Sequence, residues 1–284
     1  MTLHLVDRAE AYSNRTAIVV EEDAYTYSDL LRVSSIVATR LLSGRKNLNA
    51  GRICILVPPG WDYVVTMWGI WRAGGVAVPM AISHPPAELA HVIEDAKPEA
   101  IIAHPTLFAR INNLADERGL PVLDGSTLSQ EIPLCEIPIV QEEGPSMILY
   151  TSGTTGRPKG VVLTHKNIRS QVESLTVAWG WDHDDHILLH LPLHHVHGIV
   201  NVLLSALWNG STCEIFSQFN AVEVWERLSR RDITLYMAVP TVYRRLIEAW
   251  KRVNSATRTA WASGAGACRL SVSGSAALPV TTLE

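Results

Sequence analysis

The chain has 284 residues, of which 47% are hydrophobic and 18% charged, a composition that excludes disordered, collagenous and low-complexity scaffolds. At this length roughly 75% of the unfolded surface can be buried, so one large domain or two small ones can form without metals or disulfides. The net charge is −4, from 24 Lys+Arg and 28 Asp+Glu. No run of Lys or Arg exceeds two residues, which argues against a basic face for nucleic acid or an acidic membrane.

Cys54, Cys135, Cys213 and Cys268 lie far apart with no C-x-x-C, the pattern of reduced, buried thiols in an intracellular protein. The first twelve residues carry Asp7 and Glu10 beside Arg8, unlike a secretory leader or an acid-poor transit peptide. No apolar stretch approaches the ~20 residues a bilayer crossing needs, so no membrane span is expected.

From Tyr25 onward short β-branched runs alternate with helical patterns, the signature of an α/β fold of stacked βα units around mostly parallel sheets. Ser28 is the expected N-cap of a helix in which Leu30, Val33, Val37 and Leu41 recur at helical spacing until Gly44. Residues 53–57 read as a buried strand stopped by Pro58, Pro59 and Gly60, followed by a Trp-rich helix over 61–72 and a strand over 76–78. Pro86 opens a helix over 87–96, a strand follows at 100–103, and a helix and a strand share 105–123.

The segment 131–144, rich in Pro and Glu, reads as a linker between a first α/β subdomain, 1–140, and a second, 141–284. Beyond it, strands over 147–150 and 160–163 precede a helix over 166–179. Strands at 187–191, 212–216 and 233–239 then alternate with helices at 198–208, 221–230 and 241–253, with no repeat at a fixed period. Residues 270–272 read as a strand, 273–277 as a loop and Pro279 as the first residue of a helix that only five residues follow. This is the expectation for a truncated large domain.

The sharpest local signal is Tyr150-Thr151-Ser152-Gly153-Thr154-Thr155-Gly156-Arg157-Pro158-Lys159-Gly160, between two expected strands. It is not a G-x-x-x-x-G-K-[ST] loop, and it opens a strand instead of a helix. Its glycines allow close approach of backbone N–H groups, four hydroxyls (Thr151, Ser152, Thr154 and Thr155) can donate, and Lys159 adds a mobile charge, which together suit a polyphosphate. By composition alone a polar hairpin turn without a ligand fits equally well.

A second cluster, Leu191-Pro192-Leu193-His194-His195-Val196-His197-Gly198, follows His183, His186 and His190. Pro192 breaks the helix that would align His190 with His194, and no Cys or H-E-x-x-H completes a zinc set, so metal coordination is not expected here. His183, His186 and His190 read as solvated or locally hydrogen-bonded. His195 and His197 sit at a strand end before Gly198, where α/β sheets place ligand-contacting groups; a satisfied core imidazole is the alternative for either.

The Thr151–Lys159 string resembles the phosphate-binding signature of the adenylate-forming (AMP-binding) enzymes, the superfamily of acyl-CoA synthetases, luciferases and nonribosomal adenylation domains. The resemblance implies that Thr151, Ser152, Gly153, Thr154, Thr155, Gly156 and Lys159 hold ATP. It also implies that His195 points toward the reacting carboxylate and phosphate while His197 faces the acyl pocket. Met237-Ala238-Val239-Pro240-Thr241 with Tyr243 is similar to the family's pocket wall, and Ser273-Gly274-Ser275-Ala276-Ala277-Leu278 to the loop whose backbone frames adenine.

Taken together these stretches come closest to the malonyl-CoA synthetases, which include acyl-CoA synthetase family member three of animals. The resemblance covers nearly the whole chain but only the front part of a full-length member. It implies an acid–thiol ligase that uses ATP and Mg²⁺ to turn a carboxylate into an acyl adenylate, then coenzyme A to form the thioester, with His195 and Lys159 catalytic. Malonate or methylmalonate is the favoured acid. A medium-chain, long-chain or aromatic acid, or a fragment that binds nucleotide without catalysis, are the alternatives.

A second carboxylate needs a fixed cation, and Arg269, just before the strand leading to the adenine loop, is the candidate; a surface arginine is the competing reading. The family's metal and ribose ligands and its adenylation lysine lie beyond the segment that this chain matches, so no metal ligand is assigned. Animal relatives are mitochondrial, whereas the N-terminal residues lack a leader pattern, leaving the cytoplasm open as well.

Overall fold

The computed structural model describes residues 3–151 and 157–279. Ten α-helices and twelve strands are found among them: α1 (His4–Ala11), β1 (Thr16–Val20), β2 (Asp23–Thr26), α2 (Tyr27–Leu42), β3 (Arg52–Leu56), α3 (Trp61–Arg72), β4 (Val76–Pro79), α4 (Pro86–Ala96), β5 (Ala100–Ala103), α5 (Phe108–Asp116), β6 (Val122–Asp124), β7 (Pro145–Thr151), β8 (Lys159–Thr164), α6 (His165–Trp179), β9 (His186–Leu189), α7 (Ser205–Asn209), β10 (Thr212–Ile215), α8 (Ala221–Ser229), β11 (Leu235–Ala238), α9 (Pro240–Arg252), α10 (Ser255–Ala265) and β12 (Leu270–Ser273). The strands form two six-stranded sheets, in the orders β6-β5-β3-β4-β7-β8 and β12-β11-β9-β10-β1-β2. All pairings are parallel except β1 with β2 and β7 with β8.

Strand alternation decides which side each residue faces. Ile53, Ile55 and Val57 join a core shared with Ile187, Leu189, Leu235 and Met237 of the other sheet, while the intervening Cys54 and Leu56 pack against α4 and α5. A strand buried on both faces reads as a continuous apolar run because helices cover each side. α2 and α3 fill the space between the sheets, and α8 and α9 cover the far face of the second sheet at Leu188, Tyr236 and Ala238. The α2–α3 contact is close: a Cβ at Gly69 would stand 2.4 Å from Val37 Cγ1, so only glycine fits there.

Element boundaries moved where side-chain capping, invisible to periodicity, decides them. α2 starts earlier than Ser28 suggested, because Thr26 and Asp29 form a reciprocal capping box. Its C-terminal turn is closed by Ser43 in the left-handed region instead of Gly44. The segment expected as a helix from 198 begins one residue earlier as a π-helix, His197–Leu204, that continues into α7.

Elements α1, β1, β2 and α10 are not among those expected from sequence, although the apolar run Ala17-Ile18-Val19-Val20 of β1 is of the same kind as the strand run at 53–57. β1 and β2 complete the sheet of β9–β12, while β7 and β8 close the sheet of β3–β6. A boundary at residue 140 therefore does not separate the sheets, although 131–141 is irregular as expected for a linker. The expected helix after Pro279 lies outside the described residues. Among the cysteines Cys54 and Cys213 are buried, but Cys135 is exposed. No helix among the described residues is long and apolar enough to cross a membrane.

Candidate active site

A cleft of about 900 Å³ opens where both sheets present the carboxyl ends of their strands. Val57 and Pro59 follow β3, Met80 and Ile82 follow β4, and Thr151 ends β7. From the other sheet come the 190–198 segment after β9, Ser217–Phe219 after β10, Val239 after β11 and Ser275 after β12. Open α/β sheets bind ligands at this edge because chain reversals there leave main-chain groups and loop side chains free.

Hydrogen bonds from the surrounding helices fix the histidine segment. The Tyr63 hydroxyl of α3 donates to the Leu193 carbonyl at 2.6 Å. The His194 ring lies 4.1 Å from that of His195 and 5.7 Å from that of His84. Arg110 in turn donates to the carbonyls of Ile82 and His84, tying down the loop that carries His84. Burial, reinforced by His195 and His84, pushes the His194 pKa down to about 4. Burial and His84 lower that of His195, and burial lowers that of His197. These imidazoles are neutral at pH 7, each able to donate from one nitrogen and accept at the other.

His197 is buried, and its Nδ1 lies 3.0 Å from Ser275 Oγ. A Cβ at Gly274 would stand 2.9 Å from His197 Cε1, so Gly274 is what lets this loop lie flat against the imidazole. Ser273 pairs with Ala238 across β11 and β12, the Gly274 N–H donates to the Ala238 carbonyl at 3.0 Å, and Tyr243 donates to the Val272 carbonyl at 2.9 Å. Ser275 holds a positive φ of 65° and Ala276 is exposed beside it. Two motifs separated by about eighty residues thus meet in one wall.

Thr151 lines the cleft and is opposite Lys159 in the β7–β8 hairpin, with Lys159 exposed. Ser152, Gly153, Thr154, Thr155 and Gly156 lie outside the described residues. The base of the hairpin is anchored on α4: the Tyr150 hydroxyl donates to Asp95 at 2.6 Å and His91 Nε2 lies 2.8 Å from the Pro158 carbonyl oxygen.

Two expected contacts are corrected. Arg269 does not line the cleft; it pairs with Asp185, donating from Nε to Oδ1 at 2.8 Å and from a second nitrogen to Oδ2, and it donates to the Trp179 carbonyl at 3.0 Å. Burial alone would raise the Asp185 pKa, but hydrogen bonds from Arg269, the Asp182 main chain and Thr234 hold it below the usual value. This pair sits at the amino ends of β9 and β12, the edge away from the cleft. Met237 is fully buried between the sheets, on the same strand face as Leu235, and Val239 and Val242 line the cleft instead.

Arg245 and His190 were missed. Arg245 is the only Arg or Lys among the described residues lining the cleft, and its guanidinium lies 4.7 Å from the centroid of Phe219. Its place one turn beyond Val242 on α9 gave a weak signal. His190, expected to be solvated or locally hydrogen-bonded, is buried with Nε2 2.7 Å from the Tyr236 hydroxyl, and burial pushes its pKa down to about 4.

No carboxylate lines the cleft among the described residues. Mg²⁺ is held mainly by carboxylates and phosphates, so the residues present do not form a Mg²⁺ site. Asp182, His183 and Asp184 form an exposed group before the amino end of β9, away from the cleft, where Arg15 pairs with Asp184.

Two mostly parallel sheets sharing a crevice at their carboxyl edges, lined by Thr151 of the β7–β8 hairpin, a histidine loop and Ser275 of a small-residue loop, define an α/β protein with a ligand-sized site at its strand ends. The chain belongs to the AMP-binding enzyme family, whose profile matches residues 5–284. It is 40% identical over 298 residues to the mitochondrial malonate–CoA ligase ACSF3 of Xenopus laevis, covering 98% of this chain and 51% of that protein. ATP-bound MatB from Rhodopseudomonas palustris is 26% identical with a TM-score of 0.86, over 99% of this chain and 56% of that one. A malonyl-CoA ligase solved with methylmalonyl-CoA and AMP is 29% identical with a TM-score of 0.82, over 96% and 55%. The chain spans about half the length of the curated relatives it matches.

Proposed function

We propose that this chain supplies the nucleotide and acid sites of a malonate–CoA ligase, working with ATP, Mg²⁺ and coenzyme A. The observation that carries the reading is the guanidinium of Arg245, without an ion-pair partner among the described residues, in the same cleft as His195, in a chain 40% identical to malonate–CoA ligase ACSF3. One carboxylate of the acid meets His195 while the other meets Arg245, a charge-assisted contact that a monocarboxylic acid cannot make.

In the first step a carboxylate oxygen attacks the α-phosphorus of ATP, the bond to pyrophosphate breaks, and an acyl adenylate forms. The thiol of coenzyme A then attacks the acyl carbon and AMP leaves. Both reactants of the first step are anions, so the protein's contribution is preorganised positive potential and hydrogen-bond donors. Thr151, Lys159 and the residues 152–156 between them serve the phosphates, the neutral His195 donates to the reacting carboxylate, and the 273–276 loop lies along adenine. Mg²⁺ would enter bound to the phosphates and offset part of their charge. The vertebrate relative's name supports a mitochondrial location.

The test is pyrophosphate release by the full-length protein with malonate, methylmalonate, acetate, octanoate and benzoate. Preference for the two dicarboxylates is expected. Preference for octanoate or benzoate would replace this reading with a medium-chain or aromatic acyl-CoA synthetase, and binding of ATP without turnover of any acid would leave a nucleotide-binding protein.

A further inference from the structure

One face of α4 grips both stems of the β7–β8 hairpin. β8 is the last strand of its sheet among the described residues, with Val161 and Val162 exposed, so among them no further strand steadies that side. His91 and Asp95 stand one helical turn apart on α4. His91 Nε2 lies 2.8 Å from the Pro158 carbonyl oxygen; a carbonyl only accepts, so Nε2 carries the proton. That carbonyl belongs to the peptide unit whose nitrogen is Lys159's own, and the bond therefore orients the plane from which Lys159 departs. On the other stem Asp95 accepts from the Tyr150 hydroxyl at 2.6 Å, beside Thr151, which pairs with Lys159. The Tyr150 ring stands edge-on to His91, 6.1 Å between centroids, and a Cβ at Gly160 would come within 3.1 Å of Tyr150 Cζ. At its other end α4 follows the loop of Ile82 and Ser83, which line the cleft, and of His84, whose ring is 5.7 Å from that of His194.

We propose that His91 and Asp95 are positioning residues for the phosphate hairpin, holding Lys159 and Thr151 at a fixed offset from the histidine side of the cleft so that phosphate and carboxylate meet in line. Neither side chain lines the cleft, so His91 acts through the Pro158–Lys159 peptide and Asp95 through Tyr150. The demand on geometry is severe, since two anions must be brought to reacting distance and a misplacement of about 1 Å caused by a remote residue costs about 10²-fold. The inference rests on the reading of Lys159 as the cation that serves the phosphates.

The experiment is a double-mutant cycle on the full-length protein, with His91→Ala, Lys159→Ala and both together, read as pyrophosphate release with malonate over a range of ATP concentrations. His91→Ala is expected to slow release about 10–10²-fold and to raise KM for ATP, with KM for malonate unchanged. His91→Gln, whose amide N–H can reach the same carbonyl, should recover most of the rate. In the Lys159→Ala background the His91→Ala loss should largely vanish, because the group being positioned is gone. Glu94→Ala, which breaks the ion pair of the same helix with Arg118, should leave the kinetics unaltered. A wild-type rate in His91→Ala, a loss of the same size with and without Lys159, or an equal loss in Glu94→Ala would overturn the proposal. If the alanine variant does not fold, Tyr150→Phe, which removes only the hydroxyl that donates to Asp95, is judged by the same criteria. Failure of the underlying reading shows separately, as a Lys159→Ala enzyme with undiminished pyrophosphate release.

Discussion

The Tyr63 hydroxyl donates to the main-chain carbonyl of Leu193 at 2.6 Å, a bond between a helix buried between the sheets and the loop that carries His195. Tyr63 is 2% exposed, so its hydroxyl has no water to turn to, and the bond fixes where the histidine segment leaves the core.

Replacing Tyr63 by Phe removes the donor and leaves a buried carbonyl unpaired, at a cost of about 1–3 kcal/mol. A urea titration should show the midpoint falling with little change in slope. Because the loop is released as well, ATP affinity measured by calorimetry should fall in the same variant; unaltered affinity would separate the bond from the site.

Arg245 and Arg269 should behave oppositely. Arg245→Leu is expected to raise KM for malonate about 10–10²-fold while leaving the melting temperature near that of the wild type. Arg269→Leu strands the Asp185 carboxylate, 3% exposed beside an arginine that is 37% exposed. It should cost about 1–3 kcal/mol of stability, less than a fully buried pair because water reaches the arginine. Thermal melts and malonate kinetics on both variants check the contrast.

Lys159 lies exposed at the hairpin mouth, opposite Thr151. On the proposed reading it is the cation that serves the phosphates, and its loss in Lys159→Ala should slow adenylate formation ~10²–10³-fold. An undiminished rate of pyrophosphate release would remove it from the first step.

The pH dependence of stability follows in part from three imidazoles. Burial pushes His165, His190 and His194 down to about 4, below the ~6.5 of an unfolded histidine. Between these values the unfolded chain binds more protons than the folded one, so stability rises with pH across this window and is lost as pH falls from about 6.5 to about 4. Unfolding free energies measured over that range should decline, and His190→Gln should flatten the decline; an equal slope in the variant would show that His190 does not contribute.

Gly69 marks the closest approach of α2 and α3. Adding a methyl group in Gly69→Ala forces Val37, whose Cγ1 would lie 2.4 Å away, or the helix itself to shift, for about 1–3 kcal/mol of destabilisation. The paired change Gly69→Ala with Val37→Ala should recover part of the loss, which denaturation of all three variants would measure.

Much of this architecture was readable from local chemistry. The run Ile53-Cys54-Ile55-Leu56-Val57 has no polar face, and only a strand covered on both sides tolerates that. Pro86, with its fixed φ and no N–H, marks a helix start by itself, and α4 begins there. The histidine loop was legible from its place at a strand end before Gly198, whereas the 273–276 loop was legible only through its resemblance to the family's adenine-side loop, since by residue type it is a small-residue turn. His197 against Gly274 is where the two meet.

What required the tertiary structure is the identity of partners. Periodicity assigns a residue to a face of its own element but cannot say what lies opposite. Arg269 precedes a site loop in sequence, yet its strand carries it to the far edge of the sheet, where Asp185, 84 residues earlier, holds it. Arg245 looked like one more charge on a helix until α9 packed beside the loop after β10 and set its guanidinium over Phe219. Local sequence specifies backbone conformation through short-range sterics and hydrogen bonding, whereas which cation faces the cleft is decided by the packing of sheets and helices distant along the chain.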